Sequence, residues 1–202
     1  METPETIINT EIEKLSIPIL ESISSEEIQK FHPYHQRYFT NWYCTTYNTE
    51  SENHDIIFRI HTNKLILISI AKGHDIIRQK KIIEKVDFSV NGKDMSDISI
   101  SGKKKAGAKK LAKDSVLCYI KCKDDDKKYP VNTCISASLI EVNHLINKNP
   151  QLLVTDYQKL GYIAVLNPER FRSNANFIDK LISNLKLLSE DEYESYLKSK
   201  GA

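Results

Sequence analysis

The sequence predicts a mainly β domain closed by C-terminal helices, a β+α barrel or sandwich, and three observations carry that reading. Short β-branched or aromatic runs recur at roughly ten-residue intervals between residues 37 and 166. Turn-forming residues separate them, most plainly Asn91-Gly92. Beyond residue 174 the apolar spacing lengthens from the strand period to that of a helix.

Residues 1–30 read as an appended arm, loosely ordered or helical. Ile8, Ile12 and Leu15 share one helical face, Pro18 interrupts it, and Ser24-Ser-Glu-Glu27 offers a capping-box start. Residues 31–198 then read as a single domain. Arg37-Tyr-Phe-Thr-Asn-Trp-Tyr43 concentrates aromatics, which serve a core or a lid, or alternatively anchor a partner. His54-Asp-Ile-Ile-Phe-Arg-Ile60 and Lys64-Leu-Ile-Leu-Ile-Ser-Ile70 are β-branched runs joined by a turn at His61–Lys64, a hairpin signal. Val86–Val90 alternates, Asn91-Gly92 turns, and Asp97-Ile-Ser-Ile-Ser101 alternates again. Further strands are expected at Ser115–Lys121, Cys134–Val142 and Gly161–Leu166. The C-terminal helices span about 174–198: Phe177, Leu181, Ile182 and Leu185 form one stripe, and Ser189 with Glu192 forms a capping box.

With 202 residues, 40% of them hydrophobic and 28% charged, the chain can bury a core without staples and is too apolar for wholesale disorder. Twenty-nine Lys+Arg against 27 Asp+Glu leave a net charge of +2, so any binding to a polyanion must come from a local patch. The acidic start lacks the basic flank and apolar run of a signal peptide, and no stretch reaches the roughly 20 apolar residues of a membrane span. The expected compartment is the cytoplasm, the nucleus, or both, with Cys44, Cys118, Cys122 and Cys134 as thiols.

Most candidate chemistry fails on physical grounds. Gly102-Lys-Lys-Lys-Ala-Gly107 has the outer glycine spacing of a nucleotide-binding loop, but Ala108-Lys109 follows, so no hydroxyl is placed to hold magnesium. Cys118 and Cys122 have zinc-like spacing on paper; on a strand, residues four apart lie roughly 13 Å from each other, too far to share one ion. Even parity instead puts both thiols on one face, the core. Cys122 and Cys134 could approach across a hairpin, and His32-Pro-Tyr-His35 has no third ligand nearby. No nucleophile elbow or papain-like cysteine context is present. Asp124-Asp-Asp126 reads as a solvated hairpin tip. One feature resists a bland account: Lys103, Lys104, Lys105, Lys109, Lys110 and Lys113 crowd into Gly102–Lys113 without an acid among them. Such a run suits a solvated loop, a nuclear-import signal, an acidic protein partner or phosphate contact. Nucleic acid ranks below a protein because no interleaved aromatics accompany the lysines.

Two resemblances sharpen this. Cys134-Ile-Ser-Ala-Ser-Leu-Ile-Glu-Val-Asn143, Leu145, Asn149-Pro150, Gly161-Tyr162 and Leu188-Ser-Glu-Asp-Glu-Tyr-Glu-Ser-Tyr196 resemble the C-terminal half of the glycine-cleavage H protein. That resemblance implies a lipoyl-type barrel-sandwich hybrid. It also implies a lysine-bearing hairpin, which counting back from Cys134 puts at Lys123–Lys128. The Glu-Ser-Val-Lys-Ala motif around the lipoyl-lysine is absent there, although Lys127 or Lys128 could accept a group in a carrier-type alternative. The second resemblance covers most of residues 37–197. Arg37–Tyr43, His54-Asp-Ile-Ile, Ser101–Gly107, Leu117-Cys118, Cys122, Cys134, Glu141-Val-Asn143, Gly161–Val165 and Leu187–Tyr193, in this order and spacing, resemble the Abitram (Simiate) family. The resemblance implies a non-enzymatic actin-binding protein, without cofactor, that regulates polymerisation and filopodia and occurs in the nucleus and at actin-rich edges of the cytoplasm. A general interaction scaffold is the remaining alternative. The lysine run, Lys103–Lys113, is the expected partner-binding or nuclear-import feature.

Overall fold

Isoleucine-rich segments build the centre of a six-stranded antiparallel sheet. In the computed structural model the described residues are 34–98, 107–123, 125–168 and 176–201. The chain divides into two units, Met1–Arg37 and Tyr38–Ala202. In the first, the described part is one helical turn, α1 (Tyr34–Arg37). The expected arm over residues 1–30 and the His32–His35 pair's first member lie outside the described residues.

In the second unit the order is β1 (Phe39–Cys44), β2 (Ile56–His61), β3 (Ile66–Ile70), α2 (Asp75–Arg78), β4 (Ile83–Asp87), β5 (Ser89–Val90) and β6 (Lys93–Asp94). There follow β7 (Lys109–Leu111), β8 (Val116–Cys122), β9 (Asp125–Asn132), β10 (Ala137–Val142), α3 (Leu145–Lys148), α4 (Leu152–Thr155), β11 (Ala164–Asn167), α5 (Phe177–Leu185) and α6 (Glu190–Ser199). Among the described residues three antiparallel sheets result: β1-β2-β3-β11-β10-β7, β4-β8-β9 and β5-β6. This is the mainly β body with C-terminal helices that the sequence predicts.

Every residue of Ile56–Ile60 is buried, so β2 is covered on both faces and reads as a continuous apolar run instead of an alternating one. The β5–β6 hairpin turns on Asn91 (φ 51°) and Gly92 (φ 74°), the doubly left-handed pair that matches strand twist. A two-residue turn leaves Lys93–Asp94 opposite Ser89–Val90. The strand expected from Asp97 therefore does not pair there: Asp97 and Ile98 are outside any strand, and residues 99–101 are outside the described residues. Strand β10 starts at Ala137, three residues later than expected, because Cys134 takes φ 60° and breaks extended structure. Strand β11 likewise starts at Ala164, not Gly161.

The solvated acidic tip is also corrected. Strand β9 begins at Asp125, so Asp125 and Asp126 belong to the strand and not to the tip. Asp124 lies outside the described residues. On β8, Cys118 and Cys122 both face the core as their parity requires, and all four cysteines are buried and unbridged.

Helix α6 docks through a small second core of Tyr43, Ile57, Ala71, Tyr193 and Leu197. Tyr43 and Tyr193 stack with ring centroids 4.0 Å apart and planes 7° apart. Tyr43 and Leu188 exchange backbone hydrogen bonds of 2.9 Å each way, extending the sheet edge to the helix. The expected capping box forms: the Glu192 carboxylate accepts from the Ser189 N–H at 2.7 Å, and Ser189 Oγ accepts from the Glu192 N–H at 3.4 Å.

Candidate functional site

The basic run divides in two. Lys103, Lys104 and Lys105 lie outside the described residues. Lys109 and Lys110 lie on β7, the outermost strand of the large sheet, opposite Leu139 and Ser138 of β10. Lys113 follows in an exposed turn pinned by its N–H to Ser136 Oγ at 3.0 Å. The Lys109 ammonium donates to the Asp94 carbonyl. Lysines on an edge strand discourage sheet-to-sheet association and also present a row of positive charge. The sequence signal was the charge density; β7 itself carried none.

The hairpin lysines behave differently from each other. Lys127 pairs with Glu52 and sits 4.7 Å over the Tyr129 ring, whereas Lys128 is exposed, 5.9 Å from the Tyr119 ring. Both lie within β9 and neither at the hairpin tip. Behind Lys127 a polar cluster joins three segments that the sequence keeps apart. Glu52 Oε2 lies 3.0 Å from His54 Nε2, and the His54 ring meets the His74 ring edge-on at 5.6 Å. Both imidazoles approach Tyr129, at 6.4 and 6.0 Å. The Tyr129 hydroxyl donates to Asp125 Oδ2 at 2.5 Å while accepting from Lys81 Nζ at 2.6 Å, and Lys81 also reaches Asp125 Oδ2 at 2.6 Å.

The electrostatics follow from these contacts. The hydrogen bond from Lys81 holds the Asp125 carboxyl far below its ordinary range, and the same bond pushes the Lys81 ammonium up. Burial pulls His74 down to about 3, so it is neutral. Its Nδ1 accepts from the Ile76 N–H at 3.2 Å as the cap of α2, which leaves the proton on Nε2. That tautomer takes His74 out of metal ligation, and among the described residues no group of three or more His, Cys, Asp or Glu could hold a metal ion. A cleft of about 300 Å³ opens beside the cluster, lined by Gln79, Lys80, Lys81, Ile82, Cys122 and Asp125. Its acid, Asp125, and its partly buried cation, Lys81, already neutralise each other. The cluster is a latch between the β8–β9 hairpin, the loop before β2 and α2. Lys81, His74 and Tyr129 had no signal in the sequence, because residues 44 to 55 apart meet only through the sheet.

A second network fastens α6. Tyr193 donates to Asp55 Oδ2 at 2.6 Å and accepts from the Gly73 N–H at 2.8 Å. Asn48 donates to the other Asp55 oxygen and to the Tyr196 hydroxyl at 3.2 Å, and its own oxygen accepts from the His54 N–H at 2.7 Å. Burial raises the Asp55 pKa, with the Tyr193 and Asn48 bonds opposing. Finally, the neighbour of Cys134 is Cys44, not Cys122. The hydrogen bond from Cys134 brings the Cys44 thiol down to about 6, and burial drives the Cys134 thiol up. Among the described residues no helix is long and apolar enough to cross a membrane.

No family model matches the chain. The crystal structure of a glycine cleavage system H protein from Mycobacterium marinum is similar to this chain with a TM-score of 0.49 and 10% identity, covering 80% of this chain and 97% of that one. Protein Abitram of Dictyostelium discoideum is 31% identical over 160 residues, 78% of this chain and 84% of the relative. Protein Abitram of Xenopus tropicalis is 32% identical over 168 residues, 82% and 86% of the two chains. The Homo sapiens protein is 30% identical over 163 residues, 80% and 84%. The chain belongs to the Abitram family.

Proposed function

We propose that the protein is a non-enzymatic actin-binding protein of cytoplasm and nucleus that regulates actin polymerisation and filopodia, using the basic segment Lys103–Lys113 as its contact. Membership of the Abitram family carries this reading, since an actin partner is what the resemblance implies. The geometry supports it in two ways. The described lysines of the segment sit on and beside an edge strand, where they can meet an acidic surface. Elsewhere, acids of the two networks are satisfied by partners of their own: the partly exposed Asp125 by Lys81 and Tyr129, the buried Asp55 by Tyr193 and Asn48.

Exposed ion pairs contribute under about 1 kcal/mol each, so several must act together and added salt must weaken them. Cosedimentation with actin filaments at two salt concentrations tests this. Lys103, Lys104, Lys105, Lys109 and Lys110 changed together to Glu should lose pelleting. Actin here means monomer, filament or both: unchanged pelleting of that variant would discard the lysine assignment, and absence of pelleting by the unaltered protein together with no binding to labelled actin monomers would discard actin. Localisation of the tagged variant separates actin contact from nuclear import. Intact-protein mass reads the carrier alternative: an adduct on Lys127 or Lys128 revives it.

A further inference from the structure

The outer face of the β4-β8-β9 sheet carries a charge arrangement that its own register creates. Lys85 stands opposite Lys121, and Lys121 stands opposite Lys128, so three lysines line up across three strands. Directly opposed side chains share a face with Cβ atoms about 4.5–5.5 Å apart, where like charges are destabilising. Ile120 and Cys122, on either side of Lys121, are buried, which fixes the lysine row as the outward face.

Two bulges produce this row. From Ile83↔Cys122, an unbroken register would place Glu84 opposite Lys121; the bulge between Ile83 and Lys85 places Lys85 there instead. From Cys122↔Asp125, an unbroken register would place Asp126 opposite Lys121; the bulge between Lys121 and Cys122 places Lys128 there. On both sides an available ion pair is replaced by a like-charge pair. Bulges re-aim side chains and recur beside functional surfaces. Among the described residues neither Lys121 nor Lys128 forms an ion pair, and Lys85 has Asp87 at 3.6 Å. The next row on the same face is Asp87, Tyr119 and Pro130, again in register. Tyr119 is half-buried, with Lys128 Nζ 5.9 Å from its ring.

We propose that this face docks an acidic amphipathic helix of a protein partner, independently of the actin contact assigned to the basic segment. Its chemistry and spacing favour that occupant. Neighbouring strands are about 4.7–4.9 Å apart, so the lysine row repeats at nearly the 5–6 Å of i,i+4 side chains on a helix. Same-face side chains of an extended strand repeat at about 6.6 Å, a poorer match. A helix crossing the strands sets its carboxylates along Lys85, Lys121 and Lys128 and its adjoining apolar stripe on Tyr119 and Pro130. Asp87 repels an acid on that second stripe, which fixes which side of the helix faces which row.

Fluorescence anisotropy with the full chain tests the assignment. The probe is a labelled helix-forming peptide with Glu at every fourth position and Leu on the flanking face. Binding is expected to weaken about tenfold or more in K121E/K128E and to stay within about twofold in K180E/K198E, whose lysines are exposed on α5 and α6. A permuted peptide of the same composition should bind at least about fivefold more weakly. Relief of the like-charge row should also raise the Tm of K121E, a gain that an ordinary structural lysine would not give. Equal binding of the permuted peptide, full binding by K121E/K128E, or a lowered Tm of K121E overturns the proposal. Tighter binding of single-stranded RNA or of phosphatidylserine vesicles than of the patterned peptide overturns it as well.

Discussion

Changing Tyr193 to Phe removes one oxygen from a buried network and keeps the ring stacked on Tyr43. Tyr193 and Asp55 are each 1% exposed, so no water replaces what is lost. The hydroxyl donates to the Asp55 carboxylate at 2.6 Å and accepts from the Gly73 N–H at 2.8 Å. A hydrogen bond to a charged group contributes about 1.5–3 kcal/mol, and a stranded buried amide costs about 1–3 kcal/mol. Allowing for partial relaxation, the expected loss is about 3 kcal/mol near pH 7, a large share of a typical domain's 5–15 kcal/mol. The loss carries a pH signature. Burial raises the Asp55 pKa above its unfolded value, so its contribution to stability is complete below that unfolded value and is lost as pH rises through the folded one. Removing Tyr193's opposing hydrogen bond moves the folded value further up. The variant should therefore lose more stability near pH 7 than near pH 4. Urea unfolding at both pH values reads this, provided the denaturant slope is unchanged. A double-mutant cycle with Asp55→Asn isolates the pair and should give coupling above about 1 kcal/mol. A loss under about 1 kcal/mol, or one equal at both pH values, would refute the reasoning.

Three further outcomes are expected. Gly73→Ala puts a Cβ 2.1 Å from Asp55 Oδ2 and 2.7 Å from the Tyr193 hydroxyl, so it should cost about 3 kcal/mol in urea unfolding and not be additive with Tyr193→Phe. His74, pulled down to about 3 by burial, is protonated more readily in the unfolded chain. Its share of stability is therefore lost as pH falls below about 6.5, by at most ~1.4 kcal/mol per pH unit, and His74→Asn should flatten that slope while its side-chain oxygen keeps the α2 cap. Ser189→Ala removes one half of the α6 capping box and should cost about 1 kcal/mol, seen as faster amide exchange in the first turn of α6.

What was legible in the sequence was whatever one element decides alone. Strands β2, β3 and β8 announce themselves because burial on one or both faces demands β-branched residues in a short run. The α6 start announces itself because a capping box is a four-residue motif. Strand β9 is different: Asp125-Asp-Lys-Lys128 has the composition of a solvated tip, and only pairing with β8 makes it a strand. Register then determines what its charges do. Asp125 meets Lys81, 44 residues away; Lys127 turns to Glu52; Lys128 lines up with Lys121 on the opposite face. An unbroken register, one residue different between β4 and β8 and two between β8 and β9, would set Glu84 and Asp126 opposite Lys121 in place of the lysine row, with no change in composition. Net charge and charge runs therefore located the basic segment but could not reveal the second basic face, because that face is made by two bulges and not by any run of lysines.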